Sequence, residues 1–208
     1  MPGQAPGKLA CLLGALLCAC ASLLAQQPEP KPDPAPLIVS GQIVIDGRAM
    51  PYLIRHLPVS SFPELPASLA LVLNRRGCLI PQSYEAHHPE NVVRASLERA
   101  GSTDWALLCS VQGRVSLLVS FSSAPGEVLE LATAPETERL QAHDPSGVLG
   151  FNWAIDPATP EKIRALQIGL PQRPPLADHD ALADSVVEGR AVYRFYTKNA
   201  WTVLEMPE

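Results

Sequence analysis

Two segments of this chain carry residues that could do chemistry. In Asp178-His179-Asp180-Ala181-Leu182-Ala183-Asp184, carboxylates stand at relative positions 1, 3 and 7. Hard oxygen ligands at that spacing are what a calcium loop uses. The usual glycine is missing, Ala181 and Ala183 bring no side-chain oxygen, and His179 is a poor ligand for a hard ion. The segment therefore reads as an acidic loop entering a strand, and any calcium site through Asp178, Asp180 and Asp184 is expected to be weak. The second segment, Tyr84-Glu85-Ala86-His87-His88-Pro89-Glu90, gathers two imidazoles and two carboxylates. Zinc needs ligands that converge, whereas adjacent histidines in an extended segment point to opposite sides, and neither H-E-x-x-H nor H-x-H is present. A solvated loop is the expectation, with His87, His88 and Glu90 as the preferred part of any binding surface.

Other chemistries find less support. G-x-S-x-G, G-x-G-x-x-G and G-x-x-x-x-G-K-[ST] do not occur, which speaks against an acyl-transfer elbow, a dinucleotide and an NTP phosphate, so no cofactor is expected. With 16 Lys and Arg against 21 Asp and Glu, the chain is acidic and offers no phosphate-tracking surface for nucleic acid. Trp105, Trp153 and Trp201 fall on alternating strand faces and read as core rather than as a sugar platform. A hydrophobic content of 47% with only 18% charge argues for a packed core.

The N-terminus bears on where such a core would work. Leu9 to Ala25 is an uncharged apolar run behind the single cation Lys8, the pattern of a secretory leader over residues 1–25. Cleavage after Ala21 or after Ala25 fits. Leu17-Cys18-Ala19-Cys20 also resembles a bacterial lipobox, in which Cys20 would be acylated and tether the protein to a membrane. A retained spanning anchor fits less well, since seventeen residues is the lower edge of a spanning length. Residues 26–36 carry proline at every second position from Pro28 and read as a stiff linker. Residues 37–208 are then one exported domain, periplasmic or extracellular, in which Cys78 and Cys109 are the two cysteines left. In an oxidising compartment they read as one disulfide, whose 31-position loop is worth roughly 3.7 kcal/mol in the chain-entropy model.

The elements that must position these residues are mostly strands. Gln42-Ile43-Val44-Ile45, Asp46-Gly47 and Arg48 to Ile54 form a hairpin signature, and Pro51 marks the second strand as an edge. Pro66 to Arg76 reads as a helix ended by Gly77, with Leu69, Val72 and Leu73 on one face. Trp105, Leu107, Cys109 and Val111 share a face, as do Val115, Leu117, Val119 and Phe121. A three-residue loop, Gln112-Gly113-Arg114, would set the two apolar rows against each other. Asn91 to Leu97, Glu127 to Ala132 and the alternating Leu149, Phe151, Trp153 and Ile155 read as further strands. Thr159-Pro160-Glu161 starts a short helix with Ile163 and Leu166 inward. A closing hairpin across Asn199-Ala200 would put Arg194 opposite Glu205. The class is α+β, a mainly antiparallel sheet of about seven strands with two short helices.

Arg76-Gly77-Cys78-Leu79-Ile80-Pro81-Gln82, His87-His88-Pro89-Glu90-Asn91-Val92 and Asp104-Trp105-Ala106-Leu107-Leu108-Cys109-Ser110, with the Asp178-rich closing region, resemble a group of uncharacterised exported bacterial proteins. That resemblance implies export and the Cys78–Cys109 bridge, and it brings no activity. The leading functional expectation is a non-enzymatic binding module for a protein or cell-envelope component. The alternatives are a secreted hydrolase using His87 or His88 with Glu90 or an Asp of the 178–184 segment, and a weak calcium-binding module.

Overall fold

The computed structural model describes Gly3, residues 37–168, Arg173 and residues 178–205. The leader run, Cys20 and the proline tract lie outside those residues. Strands follow in the order β1 (Leu37–Ile45), β2 (Arg48–Pro58), β3 (Leu79–Gln82), β4 (Val92–Ala95), β5 (Asp104–Val111), β6 (Arg114–Ser120) and β7 (Leu129–Pro135). Then come β8 (Leu140–Ala142), β9 (Leu149–Phe151), β10 (Trp153–Ala158), β11 (Ala181–Val186), β12 (Ala191–Thr197) and β13 (Ala200–Glu205). Helix α1 (Ala67–Arg76) joins β2 to β3, and α2 (Pro160–Leu166) follows β10. Instead of one sheet of about seven strands, the described residues form a nine-stranded sheet and a four-stranded one. Every ladder is antiparallel except β2 with β9. Among the described residues, no helix is long and apolar enough to cross a membrane.

The apolar side chains sort these elements into layers. One face of the large sheet presents Leu57, Ile80, Trp105, Leu107 and Leu118 to Leu69 and Leu73 of α1. Its other face presents Ile54, Ala106, Leu108, Val115, Leu117 and Val119 to Trp153, Ile155 and Leu182 of the small sheet. On the far side of the small sheet, Ala181, Ala183, Tyr193 and Phe195 pack against Ile163 of α2. The sequence of layers is thus helix, sheet, sheet, helix, with three separate apolar interfaces. Helix α1 ends as expected, Gly77 at φ 74° turning the chain so that the Cys78 N–H donates to the Leu73 carbonyl. Cys78 then reaches Cys109 on β5, and the two form a disulfide with Cα atoms 5.2 Å apart. At α2, the Thr159 hydroxyl accepts from the Lys162 N–H and Pro160 takes the first turn.

Four expectations of register need correction, and the layers explain them. The β5–β6 loop is Gln112-Gly113, with φ 51° and 77°, and pairs Cys109 with Ser116 and Leu108 with Leu117. Matching one apolar row to another was the wrong criterion, because β5 is buried on both faces and both rows are core, on opposite sides. The last hairpin turns at Lys198-Asn199, φ 52° and 61°, so Arg194 opposes Val203 and Val192 opposes Glu205. Lys-Asn and Asn-Ala each offer one Asn for the two positive-φ positions, so residue type did not decide between the two registers. Pro51 does not make β2 an edge, since β1 runs along one side and β3 and β9 share the other. In the β1–β2 alternation its nitrogen points away from β1, and β9 begins to pair only at Tyr52, so no ladder bond is lost. The Leu149 to Ile155 run is split at Asn152, and its halves β9 and β10 belong to different sheets.

Candidate functional site

The structure does not bring the two predicted chemical segments together. His87 and His88 are exposed at a bend and make no hydrogen bond or ion pair among the described residues. Glu90 is occupied in holding that loop. Its Oε1 accepts the Ser83 N–H at 2.9 Å, its N–H donates to Gln82 Oε1 at 2.9 Å, and its carbonyl accepts from Gln82 Nε2 at 3.0 Å. Asp178 is exposed, while Asp180 is tied to Ser96, its Oδ2 accepting the Ser96 N–H at 3.0 Å and its own N–H donating to the Ser96 carbonyl. Asp184 is not in a loop but in the middle of β11. It accepts Trp153 Nε1 at 2.6 Å and ion-pairs with Arg194 at 2.8 Å. Among the described residues, no group of three or more potential metal ligands converges. Glu90, Asp180 and Asp184 are thus engaged by partners other than His87 and His88.

Two other places gather polar side chains around space. The first is a cleft of about 400 Å³ lined by Arg55, Tyr84, His143, Asp144, Ser146 and Gly150, among others. It forms because the Gln82–Glu90 clasp fixes the loop after β3, and the Tyr84 N–H donates to the Phe151 carbonyl as an extension of β9. The Tyr84 ring stacks on His143 with centroids 4.6 Å apart and planes at 9°. Both close over Gly150, where a Cβ would stand 2.5 Å from Tyr84 Cβ and 2.9 Å from His143. Glycine is required there by contact rather than by φ. Partial burial, then the negative charge of Glu188, raises the Tyr84 phenol above its usual pKa, and the phenol donates to Glu188 Oε2 at 3.2 Å. Arg55 is half-buried, donates one hydrogen bond to the Ala86 carbonyl at 2.7 Å, and makes no ion pair among the described residues. Its remaining N–H groups are available to an acceptor.

Serine, histidine and aspartate all border this cleft, yet they do not form a nucleophile and its base. The Ser146 hydroxyl donates to Asp144, and His143 stacks on Tyr84 with its Nδ1 3.8 Å from Asp144 Oδ2. The Ser146 hydroxyl and then its N–H hold the Asp144 carboxyl below its usual range.

The second place is buried. His56 on β2 is 2% exposed, and its Nε2 lies 2.6 Å from Oε1 of Glu136, which follows β7 and is 5% exposed. Burial alone would push the Glu136 carboxyl up, but hydrogen bonds from His56 and Ser110 and the charge of His56 outweigh it and leave the carboxyl below its usual range. His56 Nδ1 is buried without a partner among the described residues. A cavity of about 280 Å³ lies beside the pair, bordered by Val39, Tyr52, Leu79, Ser110 and Thr137. Ser110 meets Glu136 rather than His56, so here too no serine is activated by an imidazole.

No family model, curated protein or solved structure matches this chain. Its function must be read from the geometry. Sequence reasoning missed both places for one reason: Arg55, Tyr84 and His143, like His56 and Glu136, are far apart along the chain and have no motif spacing. Asn91 was missed as well, although its positive φ of 65° gave a hint once known. Its side chain donates to the Pro81 and Trp153 carbonyls and accepts from the Ile155 N–H, joining the two sheets.

Proposed function

We propose that this chain is an exported binding module, not an enzyme, and that its ligand surface is the cleft between Arg55, Tyr84 and His143. The observation that carries this is the combination in one concave place of a stacked aromatic pair and a half-buried guanidinium with donors to spare. Such a surface suits a segment of a protein or envelope component that lays a flat or apolar group on the Tyr84–His143 stack and offers a carbonyl or carboxylate to Arg55. Export is supported by the Cys78–Cys109 disulfide and the leader-like N-terminus. The absence of a serine–imidazole contact at either polar site favours binding over hydrolysis.

The test is capture from a cell-envelope extract of the host that makes the protein. Full-length chain is compared with Arg55→Ala and Tyr84→Ala, and each variant should weaken retention of the captured species about tenfold. Equal retention by the variants would remove the cleft from the reading. Turnover of a captured species, abolished by a substitution at Ser146 or Ser110, would replace binding with catalysis.

A further inference from the structure

β1 ends the large sheet, and among the described residues it pairs with β2 alone. Edge strands of soluble proteins are usually blunted by charge, proline, a bulge or shortness. β1 has none of these: it is nine residues long, Leu37-Ile38-Val39-Ser40-Gly41-Gln42-Ile43-Val44-Ile45, with no charged side chain and no proline. Leu37, Ile38, Val44 and Ile45 are 50%, 54%, 73% and 42% exposed. A long, uncharged, apolar edge is a template for another strand.

The order of residues says which strand. Read outward from Gly41, β1 is the same in both directions by class: Ser40 and Gln42, then Val39 and Ile43, Ile38 and Val44, Leu37 and Ile45. An antiparallel copy centred on Gly41 places apolar opposite apolar at every such pair and Ser40 opposite Gln42. Sliding the copy by two residues either way sets Ser40 against Val44, or Gln42 against Ile38. Only the centred register matches throughout.

Backbone direction permits that register. The two-residue Asp46-Gly47 turn makes Ile45 and Arg48 a hydrogen-bonded pair, so the odd residues of β1 bond to β2 and the N–H and C=O groups of Ile38, Ser40, Gln42 and Val44 point outward. Centring on Gly41 joins even residues to even residues, so all of these groups find partners. Gly41 itself falls on the two-fold axis as a non-hydrogen-bonded pair, the place of closest approach between strands. A side chain there would also strike the Tyr52 phenol, 2.8 Å from where a Cβ would stand.

We infer that β1 is a self-complementary docking edge, through which two copies of this chain join their large sheets antiparallel about Gly41. The contact is isologous and closes at two, since it uses the same edge of both copies.

The test begins with the unsubstituted full-length chain. Analytical ultracentrifugation should show a concentration-dependent dimer, and hydrogen exchange should protect the amides of Ile38, Ser40, Gln42 and Val44 as well as those of Val39, Gly41 and Ile43. A monomer up to about 100 μM, with protection at alternate residues only, overturns the inference and leaves the edge to a different partner. Ile38→Lys combined with Val44→Lys sets like charges opposite each other twice and should weaken the dimer about tenfold or more. Ile38→Lys combined with Val44→Glu makes both facing pairs opposite in sign and should recover most of that loss. A dimer indifferent to both double variants lies elsewhere, and equal weakening by both rejects the centred register. Both side chains are more than half exposed, so the monomer fold is expected to tolerate the changes, which circular dichroism checks.

Discussion

Two histidine–carboxylate sets in this protein look alike in composition and differ in almost everything else. His87, His88 and Glu90 are neighbours in sequence, lie at an exposed bend, and leave both imidazoles without a polar partner among the described residues. His56 and Glu136 are 80 residues apart, almost fully buried, and 2.6 Å from each other. Proximity along the chain makes a cluster visible, but an exposed cluster is solvated by water and has little electrostatic work to do. Burial removes that water, so in the distant pair the Glu136 carboxyl relies on its hydrogen-bond partners, which hold it below its usual range. A search for chemistry by local spacing is therefore drawn to the wrong histidines.

That contrast can be broken most severely at the buried pair. His56→Ala leaves the Glu136 carboxylate in the interior without its main partner, and the expected loss of unfolding free energy in urea is about 3–5 kcal/mol. A loss under about 1 kcal/mol would mean that the pair is not desolvated in solution. The same pair has a pH signature. Because the Glu136 carboxyl is held below its unfolded value, its stabilisation is present above the ordinary carboxylate range and is lost as pH falls through the lowered folded pKa. Urea midpoints measured from neutral to acid pH should fall less steeply in Glu136→Gln than in the parent. Parallel curves would assign the acid sensitivity to other carboxylates.

The disulfide sharpens the comparison from the other side, since it closes the loop that contains His87 and His88. Cys78→Ser with Cys109→Ser should cost roughly 3.7 kcal/mol, read as a lower urea midpoint. The bridged protein itself should gain about two daltons on reduction, and two alkylatable thiols in protein recovered from its own host would contradict the bridge.

The smallest effects belong to the exposed groups. His87→Ala with His88→Ala should change stability by no more than about 0.5 kcal/mol. Calcium at millimolar concentration should stabilise the protein by less than about 1.5 kcal/mol against EDTA, as Asp180 and Asp184 are held by Ser96, Trp153 and Arg194. A large thermal shift that vanishes in Asp180→Ala would show that Asp178, Asp180 and Asp184 do converge on a cation.

Features that depend on a few consecutive residues were legible from the chain alone. The Asp46-Gly47 turn, the Gly77 helix end, the Thr159-Pro160 helix start and the Cys78–Cys109 bridge are all present where their residue types place them. Each is decided within one turn of backbone or, for the bridge, by the count of available cysteines. The palindromic order of β1 is also written in nine residues, but the hairpin signature begins only at Gln42 and passes over it, because only the fold shows the strand's full length and its place at an edge.

Tertiary structure decided which faces are core, and everything else followed from that. Period-two alternation tells which side chains share a face but not whether the opposite face is wet, and β5 is buried on both. For that reason the β5–β6 register, the division of Leu149 to Ile155 between two sheets, and the inward turn of Asp184 could not be read from pattern. The same holds for the Arg55–Tyr84–His143 cleft and the His56–Glu136 pair, whose members come from separate strands and loops of the large sheet and meet only once that sheet is assembled. Hydrophobic burial is non-directional and acts between segments at any separation, so it leaves in the sequence no spacing that names the polar residues it will bring together.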